Sequence, residues 1–330
     1  MAGFAVKPFE GVSFNTVLIT VALIGGVISV ISGLLTFIAG TAISHTGGRE
    51  GVLLKDLALV SFDGIIANND TSEFLVHLYW FVNAFAWEYP DAPDGIPKAG
   101  IASTGLHFRA DILGDLHGIA DQLQVPKGDY DCPRLGSFYP SCKNIFFEAW
   151  RSYLIQDGLP LVGWLTWIML ISALVIGTLA MAQEWMIRKR PYWMRCRCIF
   201  LKRFCPCPKG TREEIEKLDD YFWDKVRASY WGLVAAYFLL PAAQATFASM
   251  FFIQWMGYLD DRLPKGFSMG VRRDLKGEGL LWAAFFSSTV SALCMLVKWR
   301  MSRRPKGWIE EQHMPPLERE GPGNNGRYTD

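Results

Sequence analysis

Charge is missing where a transporter would need it. The cores of the four long apolar runs contain no Asp, Glu, Lys or Arg. Ionisable groups inside a membrane span mark ion paths and proton relays, so their absence argues against a pump or an ion-coupled carrier. Histidine is scarce: His45, His77, His107, His117 and His313 are scattered over the chain. No HExxH helix, nucleophile elbow or phosphate-binding glycine loop occurs, so no hydrolase or nucleotide chemistry is expected, and no cofactor. His107 and His117 flank Asp111 and Asp115 on one expected helix. A metal site there is weighed against ordinary solvated polarity, and polarity is the reading taken. A net charge of +1 gives no footprint for nucleic acid.

What is present is hydrocarbon-soluble sequence. The chain is 51% hydrophobic and 14% aromatic. The first run, Val17 to Ile43, exceeds the roughly 20 apolar residues that a helix needs to cross a bilayer. It is also longer than the apolar region of a cleaved signal peptide. Similar runs cover 159–186, 230–258 and 279–297. The expected fold class is therefore a mainly α membrane protein, a bundle of four transmembrane helices. Its segments are a 1–16 N-terminus, spans at 17–43, 159–186, 230–258 and 279–297, connecting segments at 44–158, 187–229 and 259–278, and a 298–330 tail with a disordered end. Gly26, Gly33 and Gly40 recur every seven residues in the first span. A stripe of small residues lets helices approach closely in lipid, so this face is expected to pack on another span.

Basic residues sit beside the runs in an uneven way. Residues 188–210 hold eight Lys or Arg and no acid, and Lys298 to Lys306 hold five basic residues. Such clusters favour the cytosol. Both termini are then cytosolic, and the 44–158 segment faces outward. The 259–278 segment also has five basic residues, but Asp260, Asp261, Asp274 and Glu278 accompany them. Arg188, Lys189, Arg190, Lys202 and Arg203 are candidate contacts for anionic lipid headgroups. Within 187–229, Thr211 and Glu214 form a capping box, and Ile215, Leu218, Phe222 and Val226 mark one face of an amphipathic helix expected at the membrane surface. Glu184 and Lys298 lie at span ends and are expected to reach the interface; Gln244 and Gln254 are expected to hydrogen-bond across helices.

The 44–158 segment reads as an α+β lobe. Gly51–Ser61 and Glu73–Trp87 are strand candidates, the second also compatible with a short helix. Phe108 to Leu123 has helical apolar spacing, and Asn144 to Gln156 leads helically into the second span. Asn69-Asp70-Thr71 is a glycosylation sequon on the expected outer side. Cys132 and Cys142 are separated by a turn-rich stretch with Pro133, Gly136 and Pro140. Closing that loop as a disulfide contributes roughly 2–4 kcal/mol. On the other side, Cys196, Cys198, Cys205 and Cys207 raise zinc, but one-residue spacing within each pair is shorter than structural zinc sites use. S-acylation beside a basic, aromatic segment is the favoured alternative, and unmodified thiols stay open.

Four spans, a dominant first outer loop and the segment Cys132-Pro-Arg-Leu-Gly-Ser-Phe-Tyr-Pro-Ser-Cys142 resemble the claudin-like tetraspan class. Within that class the chain is similar to the fungal Sur/PalI family, also through the hydrophobic stretch ending Asp70-Thr71-Ser72. The resemblance covers about residues 15–300. It implies a plasma-membrane location and a non-catalytic role in organising membrane domains of the eisosome kind, or in cell-wall and stress signalling. Partners are then membrane lipids and other membrane proteins, by homo- or hetero-association. The alternative is an accessory or regulatory subunit of a channel or membrane enzyme.

Overall fold

The computed structural model describes residues 14–40, 42–43, 51–52, 54–69, 72–82, 84–92, 98–104, 159–189, 212–260 and 270–302. Four helices dominate: α1 (Phe14–Ile38), α2 (Leu159–Lys189), α3 (Arg212–Asp260) and α4 (Leu275–Met301). Each is long and apolar enough to cross a membrane, which fits a multi-pass membrane protein. Side chains such as Ile24, Val175, Phe247 and Phe286 face outward more than half exposed. In water that surface would be a severe liability, and in hydrocarbon it is the solvated face.

The helices form a ring in which α1 neighbours α4, α4 neighbours α3, α3 neighbours α2, and α2 closes on α1. Glycine decides how closely α1 can enter. A Cβ on Gly26 would stand 2.5 Å from the Trp231 ring, and one on Gly33 would stand 2.7 Å from Phe238. Both aromatic residues lie on α3 seven residues apart, so the two heptad glycines receive two heptad rings. Gly25 faces α4 instead, against Ser287 and Ser291. There the Ser291 hydroxyl donates to the Ala22 carbonyl at 2.8 Å. Such small-residue seams replace the hydrophobic drive that lipid does not supply.

Several boundaries differ from the sequence pattern for physical reasons. The helix α1 stops at Ile38, five residues before the apolar run ends. Gly40 takes a left-handed φ of +81° under the Phe81 ring and turns the chain into β1 (Ala42–Ile43). The third glycine of the stripe thus serves a turn as well as a close approach. The amphipathic segment and the third span are one continuous 49-residue helix, α3, where a separate surface helix was expected. No glycine lies between Arg212 and the first residues of the span, and Pro241 sits inside the helix without ending it.

At one end of the bundle sits an antiparallel sheet. Its strands are β3 (Val60–Asn69), β4 (Ser72–Trp80), β5 (Ala84–Glu88), β6 (Ala99–Thr104) and β7 (Arg272–Arg273), in the order β6-β5-β4-β3-β7. A minor pair joins β1 to β2 (Gly51–Val52). The Glu73–Trp87 stretch therefore falls in two strands, β4 ending at Trp80 and β5 starting at Ala84. Alternation sets the inner face. Val60, Phe62, Val76, Leu78, Trp80, Phe85 and Trp87 are all buried. Their cross-strand pairs Val60–Trp80, Phe62–Leu78, Leu78–Trp87 and Trp80–Phe85 keep them on one side. Phe252 of α3 plugs this face, 5.1 Å from the Trp80 ring and 5.3 Å from the Phe62 ring. Burial of several large aromatics contributes roughly 1.5–3 kcal/mol each and fastens the sheet to the bundle.

Candidate functional site

Three polar constellations stand out against this apolar scaffold. The first lies where the sheet meets the helices. Strand β7 comes from the segment between α3 and α4 and pairs with β3 through Val60–Arg273 and Ser61–Arg272. The Asp274 amide donates to the Leu59 carbonyl at 3.1 Å. Gly277 then lets α4 start against the Leu57 and Ala58 carbonyls, a space that a Cβ would fill. Glu278, in the first turn of α4 and 3% exposed, takes the Arg273 guanidinium in a two-pronged pair and also accepts from Ser249 of α3. A bidentate arginine–carboxylate contact fixes orientation as well as distance. One carboxylate therefore ties sheet, α3 and α4 together. Burial, first, raises the Asp274 carboxyl above its ordinary value, with Asp56 adding to the shift.

The second constellation lies at the far end of the bundle. Asp224 and Arg227 are three residues apart on α3, so they share a face. Arg227 Nη1 donates to Asp224 Oδ1 at 3.0 Å. Its Nε lies 2.7 Å from Glu184 Oε1 on α2, an ion pair whose alignment is not that of a hydrogen bond. Lys298 of α4 donates to the same Asp224 oxygen at 2.5 Å, and the Ser302 hydroxyl donates to its Oδ2 at 3.0 Å. Glu184 and Asp224 are 2% and 1% exposed. Two acids and two bases thus cancel, and three helices meet in one cluster. Glu184 and Lys298 were expected to reach the interface; instead they turn inward, because opposite charges on α3 lie within reach and compensate their desolvation.

Between these ends, Gln244 of α3 accepts from Thr166 of α2, and the Trp282 indole of α4 donates to Thr246 of α3 at 2.9 Å. The expected cross-helix bonding of Gln244 is present; Gln254 lies exposed. Ser29 of α1 is fully buried, and its hydroxyl has no hydrogen-bond partner among the described residues.

The third constellation is the outward face of the sheet. Asp63 and His77 are directly opposite across β3 and β4 and are in contact. Beside them the Tyr79 hydroxyl and Lys55 each donate to Glu88 Oε2 at 3.2 Å. Burial and then the Glu88 charge push the Tyr79 hydroxyl well above its ordinary value. Among the described residues, no three His, Cys, Asp or Glu side chains gather as a metal site.

Asn69 closes β3 and pairs with Ser72, while Asp70 and Thr71 of the sequon lie outside the described residues. Arg188 and Lys189 end α2. Cys132, Cys142, Cys196, Cys198, Cys205, Cys207, Arg190, Lys202, Arg203, the Phe108–Leu123 and Asn144–Gln156 helices and the 303–330 tail lie outside the described residues. The sequence reading did not find the Asp224 cluster or the Glu278 clamp. One signal was available: the acids Glu184 and Glu278 near span ends have bases close to span starts, Arg227 before the third apolar run and Arg273 before the fourth.

The fold and these constellations define a four-helix, multi-pass class with a sheet-bearing end and ion-paired helix ends. Compared with known protein families, curated proteins and solved structures, the chain matches none.

Proposed function

We propose that the protein is a non-catalytic, multi-pass plasma-membrane protein. In this reading it organises membrane domains, or links the cell surface to the cortex, by lateral association. Both termini lie in the cytosol and the sheet faces outside. The observation that carries the reading is the use of charge. The buried acids at the two bundle ends are each held by bases: Glu184 and Asp224 by Arg227 and Lys298 across three helices at one end, and Glu278 of α4 by Arg273 of β7 at the other. Groups used this way hold a rigid scaffold and are not poised for proton or ion transfer.

Other observations support the same reading. The basic segments follow α2 and α4 at the end opposite the sheet, in keeping with a cytosolic location for that end. Asn69 at the end of β3 suits glycosylation at its sequon. An outer lobe closed by a Cys132–Cys142 disulfide and a 188–210 segment acylated at its cysteines complete the proposal. Kinship with the Sur/PalI family of the claudin-like class rests on the four-span topology and on the Cys132–Cys142 and Asp70-Thr71-Ser72 segments. A second reading, an accessory subunit of another membrane protein, is favoured by the partly exposed Asp63–His77 pair, a polar face on which a partner's outer domain can seat.

A fluorescent fusion imaged in living cells tests the organiser. Stable patches at the cell surface are expected, and uniform endoplasmic-reticulum signal would refute it. Purification in mild detergent separates the readings: self-association with lipid-domain components supports the organiser, and one stoichiometric protein partner supports the subunit.

A further inference from the structure

At the far end of the bundle, just outside the charge-balanced cluster, two cations converge on one ring. Lys225 Nζ of α3 stands 6.0 Å from the centroid of the Trp299 ring on α4. The guanidinium carbon of Arg300 stands 5.7 Å from the same centroid. Both basic residues are exposed, and neither has a carboxylate partner among the described residues. Lys298 next to them is different, since Asp224 holds it. The Trp299 ring is steadied by Tyr221 at 6.1 Å, and its Nε1–H, shielded from water, has no acceptor among the described residues. An indole N–H is only a donor, so it is unsatisfied.

These observations have one chemical complement. A cation over an indole is attracted to the ring, but two cations on one ring repel each other. An anion between them relieves that repulsion. Position identifies its source. Trp299 lies two residues beyond Val297, the last apolar residue of the α4 run, and Lys225 lies five residues before Tyr230 at the start of the α3 run. That is the depth at which tryptophan and basic residues meet lipid headgroups.

We propose that Lys225, Trp299 and Arg300 form a binding site for the phosphate of an anionic phospholipid headgroup, in the groove between α3 and α4. The site differs from the basic segment at 188–210. It requires that the helices span a bilayer but not that the protein organise membrane domains, so its failure leaves that role standing.

The test is native mass spectrometry of the full-length protein, released from neutral detergent with dioleoyl-phosphatidylglycerol added. The wild type is expected to retain one more phosphatidylglycerol than Lys225→Gln/Arg300→Gln, whose affinity at this site falls at least about tenfold. Trp299→Phe keeps a ring for both cations and is expected to retain the lipid. Lys225→Arg/Arg300→Lys keeps both charges and is expected to retain the lipid, as is Arg272→Gln at the opposite end. Equal retention by the wild type and the double glutamine variant would overturn the site. So would equal retention of dioleoyl-phosphatidylcholine, or displacement of the lipid by millimolar inorganic phosphate, which would mark a soluble-anion site.

Discussion

Replacing Arg227 with methionine should cost far more than an ordinary surface change. Methionine keeps the length of the side chain and removes the charge that faces both Glu184 and Asp224. Asp224 would still have Lys298 and Ser302, but Glu184, 2% exposed, would lose its counter-ion at 2.7 Å. Removing one partner of a buried pair costs about 3–5 kcal/mol, because an uncompensated charge stays in a poor solvent. The expected loss is at the lower end, since Glu184 has an interaction besides that with Arg227. Removing both partners is a different perturbation. Glu184→Leu/Arg227→Met leaves no orphaned charge, and should recover most of the loss, to within about 1–2 kcal/mol of wild type. The assay is equilibrium unfolding of full-length protein in mixed micelles, for wild type, both single variants and the double. A loss under about 1 kcal/mol for Arg227→Met, or a double variant as unstable as the single, would refute the cluster as a buried, coupled unit.

Further outcomes follow from the same contacts. Gly26→Ala should destabilise by about 1–3 kcal/mol, because a Cβ there meets the Trp231 ring at 2.5 Å; a smaller Trp231→Phe ring should restore part of the loss, read by thermal unfolding. Glu278→Gln loses the charge-assisted contacts to Arg273 and should cost about 1.5–3 kcal/mol. The same variant should loosen β7 from β3, seen as faster amide exchange at 272–273. The Asp274 carboxyl holds its proton more tightly when folded than when unfolded. Its contribution is therefore greatest below the ordinary value of 3.8 and falls as pH rises from there through the raised value. Asp274→Asn should flatten the stability profile across that window, measured as unfolding temperature against pH. Asn69→Gln should abolish a glycosidase-sensitive mass shift in cells that glycosylate.

The four helices could be read from the sequence because hydrocarbon imposes a simple rule: a run of uncharged apolar residues of bilayer length. Enrichment in apolar and aromatic residues marked Glu73–Trp87 as a strand candidate, whereas Gly51–Ser61 is strand only at 51–52 and 60–61, and glycine spacing marked the face of α1 that receives Trp231 and Phe238. What escaped was long-range. Lys298 and Asp224 are 74 residues apart, and Thr166 and Gln244 are 78 apart; no periodicity within either segment shows which partner it will meet. Strand β7 is two residues long and rich in arginine, so it carries no strand signal and forms because β3 offers it an edge. The end of α1 was missed for a different reason. Hydropathy continues through Ile43, while a left-handed glycine sets the turn at Gly40.

The central claim is that four helices cross a bilayer and hold the β3–β4 hairpin and the α4 terminus on opposite sides. Cysteines placed singly at Asp70 and at Lys306, in a variant lacking native reactive thiols, report this directly with a membrane-impermeant maleimide on intact cells. The account predicts labelling at 70 before permeabilisation, labelling at 306 only after it, and retention of the chain in carbonate-washed membranes. Labelling of both sites in intact cells, or release of the chain by carbonate, would contradict it.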